Sequence, residues 1–409
     1  MPSNSMKTVK EPTDKEVELL RSAVISLNSV EIYSDYGDLN YLKEHTKRAK
    51  IIALGEVTHG SSEIFKIKSK IVRYLIENEG FDIFAIEADM PMAYKLNKYI
   101  LEGVGDPKKL LAEMIFWTWD TQEMLDLVIW MKKYNDKHSK KITFTGFDMQ
   151  YYQGALSEVK RLYEKYNIKK EQDSLNTLEA NLKKFDEARM YKITPYSPEE
   201  RNYFKIEFSY LRKFGHENIK DPKEKAWFLQ CVRIIEQSAT FTQEVNNEDY
   251  RDRCMAENLL WIFNHSKMTY KVIVWAHNGH IQKTDTVMGH YVSRKLKQKY
   301  LAIGFALNRG KYTARHWKTH KLSAYNLKPS YPGTYEYYFH LVGKPLFLLD
   351  FKRLNFKDPR NQWLKKQLEF RQVGAVFSPN QFSPEPILKD FDMMVFIEKS
   401  TQSKLLHKH

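Results

Sequence analysis

The feature that most constrains this chain is a series of short, unbroken apolar runs, several of which stop at an ionisable residue. Residues 51–56 (IIALGE), 82–87 (DIFAIE), 142–148 (ITFTGFD), 272–277 (VIVWAH) and 301–307 (LAIGFAL) are rich in Ile, Val and Phe. Residues 345–351, 373–377 and 392–397 add three more candidate strands toward the C-terminus. Apolarity that is continuous and not alternating belongs to strands covered on both faces. Most of the runs are followed by a helical pattern, which predicts an α/β fold with a largely parallel central sheet flanked by helices.

Between residues 151 and 265 the strand signal stops, and long charged segments with helical spacing replace it. The chain therefore divides into a first part of the core (1–150), a helical insertion over the C-terminal edge of the strands (151–265) and a second part of the core (266–409). At the start, Thr13 followed by Glu16 resembles a capping box, with Val17, Leu20, Val24 and Leu27 as the apolar stripe of the helix it opens. The closing KLLHKH reads as a frayed tail.

Composition narrows the class. A hydrophobic fraction of 42% with only 16 Gly and 14 Pro excludes disordered and low-complexity chains. Two cysteines cannot build a disulfide framework. No apolar run reaches the ~18–20 residues of a membrane span, and the N-terminal stretch lacks the apolar segment of a secretory signal. These readings predict a cytoplasmic protein. The net charge of +14 is spread along the chain; its densest clusters, Lys169-Lys170 and Arg294-Lys295-Leu296-Lys297, carry no nucleic-acid-binding signature. The expectation is a solvated basic surface, with neither nucleic acid nor membrane as partner.

The chemistry gathers where strands end. Glu56, Glu87, Asp148 and His277 each close a predicted strand, and in α/β sheets that edge is where ligands bind. The loop Gly55-Glu56-Val57-Thr58-His59-Gly60-Ser61-Ser62 brings Glu56 and His59 together, with Ser61 or Ser62 available to cap the next helix. An imidazole can take a proton from water while a neighbouring carboxylate orients it. On the following helix Lys68 falls in the apolar stripe of Ile64, Ile71, Val72 and Leu75. It either snorkels to the surface or meets Glu56 or Glu87 as a charge partner. His277 and His280 emerge at the same edge. Three histidines and two glutamates also suit a divalent metal, although the HxxH spacing lies in a turn and not on a zinc-protease helix. No GxSxG elbow, Walker loop or GxGxxG is present, so an activated water is the economical nucleophile.

GEVTHG, FAIEAD, GFDMQ and WAHNGHIQK, with FWTWDTQE, RDRCMAENLLWI, MGHY and AIGF, stand in the order expected of the erythromycin esterase family, which this chain resembles over most of its length. The resemblance extends to relatives associated with succinoglycan biosynthesis. It implies a cytoplasmic esterase that opens a macrolide lactone by attack of water, with no metal or cofactor required. Carried over by position, His59 is the general base supported by Glu56, while Glu87, His277 and His280 complete the site. At the position of Lys68 the family's macrolide esterases carry arginine and other members lysine. A macrolide offers a cationic amino sugar and a broad apolar ring. Asp89 and Asp148, with Trp117 and Trp119, are the expected substrate-binding residues. Two other readings remain open: a metal-assisted hydrolase of another ester, and a non-catalytic small-molecule or haem-binding module using His277 or His280. The oligomeric state is not legible.

Overall fold

The apolar runs become strands whose side chains are buried on both faces, as continuous hydrophobicity requires. In the computed structural model, which describes residues 11–166, 173–191, 196–241, 247–266 and 270–407, eleven strands form. The first six are β1 (Val24–Ser26), β2 (Ile51–Leu54), β3 (Ile83–Asp89), β4 (Thr143–Asp148), β5 (Val272–Trp275) and β6 (Tyr300–Arg315). They are followed by β7 (Leu322–Asn326), β8 (Leu346–Asp350), β9 (Leu368–Arg371), β10 (Phe382–Glu385) and β11 (Met393–Ser400). The main sheet has the order β1-β8-β11-β6-β2-β5-β3-β4. Every pair from β11 to β4 is parallel. β8 and β1 finish one edge antiparallel, and β7 folds back on β6. The fold is thus α/β with a mostly parallel central sheet between helices.

This order matters for the site. β2, β5, β3 and β4 are consecutive in space, so the residues following them emerge side by side at the C-terminal edge, where parallel sheets form their crevices. Between β4 and β5 the described residues form helices Gln153–Tyr166, Asp173–Tyr191, Pro198–Asn218, Pro222–Phe241 and Asn247–His265. The last reaches that edge: Asn258 donates to the Phe147 carbonyl at 3.1 Å.

Several local expectations are corrected. Residues 373–377 are not a strand. Gly374 interrupts them, and their N–H groups serve other segments: Val373 donates to Val57 O at 2.9 Å and Phe377 to Arg315 O at 2.9 Å. The strand pairing nearby is β9 with β10. The Thr13–Glu16 capping box forms, but its helix stops at Ala23; Val24 belongs to β1, paired with β8. The described part of the tail, up to His407, is docked on Asp120 and not frayed. Residues 1–10, the Lys169-Lys170 pair and the last two residues lie outside the described residues. No described helix is long and apolar enough to cross a membrane.

Candidate active site

The loop after β2 is shaped by close approaches that only glycine tolerates. A Cβ on Gly55 would lie 2.0 Å from Asn278 Oδ1, and one on Gly60 would lie 2.0 Å from the Thr313 carbonyl. Asn278, just past β5, stitches the site together. Its N–H donates to Glu56 O at 2.9 Å, and its amide exchanges bonds with Phe305 N and O at 3.1 and 2.8 Å. The loop is thereby held between β5 and β6, and Glu56 and His59 are fixed relative to both.

Glu56 is fully buried and accepts three donors. His59 Nδ1 lies 2.7 Å from Oε1, while Lys68 Nζ and Trp275 Nε1 each lie 2.7 Å from Oε2. Burial pushes this carboxyl upward, but Lys68 and then His59 outweigh it and hold it below its ordinary value. Because a carboxylate only accepts, Nδ1 of His59 carries the proton and Nε2 keeps its lone pair. Lys68 does not snorkel. Its side chain is 0% exposed, with Nζ 4.1 Å from the centre of the Trp275 ring. Burial lowers it to about 8 against the pull of Glu56.

Beside this dyad lies a second cluster. Glu87 Oε1 accepts from Arg251 Nη2 at 2.8 Å and faces His280 Nε2 at 3.3 Å; Oε2 accepts the His277 backbone N–H at 2.9 Å. His280 Nδ1 meets Asp252 at 2.8 Å. Burial opposes charge on His280, yet Glu87 and Asp252 prevail and raise it to about 10, so it is an imidazolium at neutral pH. The 3.2 Å approach of Arg251 Nη1 to its Nε2 is therefore a proximity between two donors. Burial pushes Glu87 up, and His280 and Arg251 then bring it well below the carboxylate range.

His277 is different. Its Nδ1 accepts from Gly279 N–H at 3.2 Å, which puts the ring proton on Nε2, a buried atom with no partner. Burial, with the nearby His280 charge adding to it, lowers it to about 4, so the ring stays neutral. The His59 and His277 rings lie 5.3 Å apart. One neutral donor and one free lone pair thus sit near each other. The alternative reading of three histidines and two glutamates as metal ligands finds no support in their placement: among the described residues no group of three or more His, Cys, Asp or Glu is placed to hold an ion.

The expected substrate-binding residues have other partners. Asp148 is 0% exposed and takes Arg251 Nη2 at 2.8 Å, Met149 N at 2.8 Å and Gln150 Nε2 at 2.8 Å. Asp89 caps the helix Met90–Glu102 through Met92 N. Burial, then the Asp148 charge, raises it well above its ordinary value, which disfavours the charged form that would pair with an amino sugar. Trp119 packs in the core against Phe65 and Trp275, with Nε1 donating to Glu87 O at 3.2 Å. Trp117 is also buried, at 4%. All four are buried, and the contacts of Asp89, Asp148 and Trp119 are with packing and charge partners of the protein itself. Ser61 and Ser62 do not cap their helix: Ser61 bonds Ser400 and Ser62 bonds Glu123.

Two charged residues were missed as members of the site. Arg251 and Asp252 come from the helix Asn247–His265 and supply the charges that balance Glu87, Asp148 and His280. A signal existed in RDRCMAENLLWI, where adjacent charges stand on a helix that the protein buries: Arg251 is 8% and Asp252 4% exposed. The tail is the other surprise. Residues 401–407 lie against the loop after β2 and the segment after Trp119, through Ser403 N to Gly60 O at 2.8 Å, Ser62 N to Thr401 O at 3.0 Å and Leu406 N to Asp120 O at 3.0 Å.

Known proteins share this arrangement of chain. The model of the family described as Erythromycin esterase matches residues 76–400. The Bacillus subtilis protein YbfO, which carries the name of a hydrolase, is 28% identical over 304 residues, 65% of this chain and 67% of that one. Erythromycin esterase type II of Escherichia coli is 24% identical over 305 residues, 66% of this chain and 72% of that one. A crystal structure of a Bacillus cereus protein superposes with a TM-score of 0.85 at 27% identity, covering 97% of this chain and 100% of that one.

Proposed function

The chain belongs to the erythromycin esterase family, a family of hydrolases, and from that premise we propose that it opens the lactone ester of a macrolide by general-base activation of water. The observation that carries this reading is the Glu56–His59 pair: 2.7 Å at Nδ1, with Glu56 0% exposed and Nε2 left free. His59 Nε2 takes a proton from water as the oxygen attacks the ester carbonyl carbon, and Glu56 stabilises the imidazolium formed. The unpartnered His277 Nε2–H donates to the carbonyl oxygen as negative charge develops there. Such a donor stabilises the transition state more than the ground state. Collapse breaks the acyl–oxygen bond, and His59 returns its proton to the leaving alkoxide. The products are a ring-opened hydroxyl and a carboxylate.

Arg251, His280 and Asp252 act on the geometry. They hold Glu87, which in turn grips the His277 backbone N–H and so fixes the imidazole. Lys68 keeps Glu56 ionised in a buried place. No step uses a metal, and the reading places the protein in the cytoplasm with a small-molecule substrate.

The test is a panel of macrolides and simpler lactones incubated with the purified protein and followed by mass spectrometry, with and without a chelator. Parent protein should yield a product heavier by one water, unaffected by chelation. If no lactone is opened, the substrate assignment is wrong. If chelation stops turnover and added zinc restores it, the metal-assisted reading takes its place.

A further inference from the structure

At the opposite, N-terminal edge of the same strands lies a cleft of about 680 Å³, next to the first residues of β2 and β6. Its cations are Lys47, Arg48, Lys283, Lys297 and Lys352, and its carboxylates are Glu44 and Asp392. Both carboxylates are engaged: Glu44 with Lys47 at 2.7 Å, and Asp392 with Lys283 at 2.8 Å and the Ala302 N–H at 2.9 Å. Arg48, Lys297 and Lys352 have no carboxylate partner among the described residues, so the cleft carries a surplus of three positive charges. A second concavity of about 670 Å³ shares Arg48, Lys297 and Gln298 with it and adds Lys295 and Lys299. Complementing a helix C-terminus would explain Lys295, but Arg48 and Lys352 come from separate segments. Lys297, where the two concavities meet, has φ 52° and ψ −125°. That backbone is strained for a residue with a side chain, and such strain collects at functional positions.

We propose that this cleft binds a phosphate-class oxyanion carrying three or more negative charges, a free tri- or pyrophosphate group or the same group on a larger molecule. Concave walls of one sign concentrate field and counter-ions, and the charge surplus matches a polyanion better than a single phosphate. The Lys-rich cluster at 294–297 then has a role that the hydrolytic site does not give it.

Calorimetric titration of the full chain with triphosphate, pyrophosphate and orthophosphate, at constant ionic strength, tests this. Triphosphate should bind most tightly and orthophosphate least, with affinity falling as salt rises. Arg48→Gln with Lys352→Gln should weaken triphosphate at least tenfold while hydrolysis stays at the parent rate. Lys297→Gly relieves the positive φ, so it should fold as well as the parent and still lose affinity several-fold. No binding of millimolar triphosphate, or parent-like affinity in both variants, overturns the proposal. So does sedimentation with phosphatidic-acid vesicles by a protein that ignores triphosphate, since that would mean a flat basic surface and not a cleft.

Discussion

Replacing Lys68 by Met removes one charge and little else. The ammonium stands 2.7 Å from Glu56 Oε2, both side chains are 0% exposed, and the stem lies under Trp275 with Nζ 4.1 Å from its ring centre. At that separation an effective dielectric near 20 gives roughly 6 kcal/mol of attraction. Removing one member of a buried pair typically costs about 3–5 kcal/mol. The lower end is expected here, because Glu56 keeps His59 and Trp275 as donors and can take up a proton instead of staying charged and unpaired. Protonation has its own consequence. A neutral Glu56 no longer stabilises the His59 imidazolium, and turnover should fall by about 10²–10⁴. Urea unfolding followed by tryptophan fluorescence reads the first effect, and steady-state hydrolysis reads the second. Adding Glu56→Gln should recover part of the lost stability, since the stranded carboxylate is gone, and none of the activity. Lys68→Arg should keep the charge but overfill the space below Trp275, at a cost of about 1–3 kcal/mol. A Lys68→Met protein within about 1 kcal/mol of the parent and turning over at the parent rate would refute the reasoning.

His59→Ala should lower hydrolysis by about 10²–10⁴ while circular dichroism stays unchanged, since the ring contributes a loop contact and not core volume; near-parent turnover would remove it from the mechanism. The part of the stability that rests on His277 should be lost as pH drops from 6.5 toward 4, while Glu336 and Asp390, raised by burial to about 7 and about 6, work in the opposite direction. His277, held to about 4 in the folded protein, refuses a proton that the unfolded chain accepts in that interval, whereas Glu56 and Glu87, held below their ordinary 4.5, contribute stability that is lost only at lower pH. Urea midpoints whose pH dependence over that interval is the same in His277→Gln as in the parent would contradict the burial described. Activity should decline as pH rises through about 8, where Lys68 loses its proton and the Glu56 pair dissolves; a rate that holds to pH 10 would exclude that role. Truncation after Ser400 removes the strand of chain bonded to Gly60, Ser62 and Asp120. It should reduce kcat more than it changes KM, which a purely structural tail would not do.

Local pattern was enough for the sheet's character and for the dyad. Most of the continuous Ile, Val and Phe runs are strands covered on both faces, residues 373–377 being the exception, and a Gly-Glu-x-x-His turn at the end of one of them keeps Glu56 and His59 three residues apart. Both follow from interactions between near neighbours in sequence, which short-range periodicity records. Lys68 was legible as an anomaly, a charge in an apolar stripe, but its two readings differed only in what lay opposite. The strand order β6-β2-β5-β3-β4, the Arg251 clamp on Glu87 and Asp148, and the tail laid against Gly60 and Asp120 join residues far apart in the chain. No window of sequence holds both partners of such contacts. The same limit applies to the expected substrate residues. Asp89 and Trp119 are of types that suit a macrolide, yet whether an acid is charged or an indole exposed depends on what packs against it. Here burial and the Asp148 charge raise Asp89 well above its ordinary value against the helix N–H groups that favour its charged form, and Phe65 with Trp275 bury Trp119. Residue type is written in the chain, but solvation and charge state arise only when distant segments close over it, because both are properties of the surroundings.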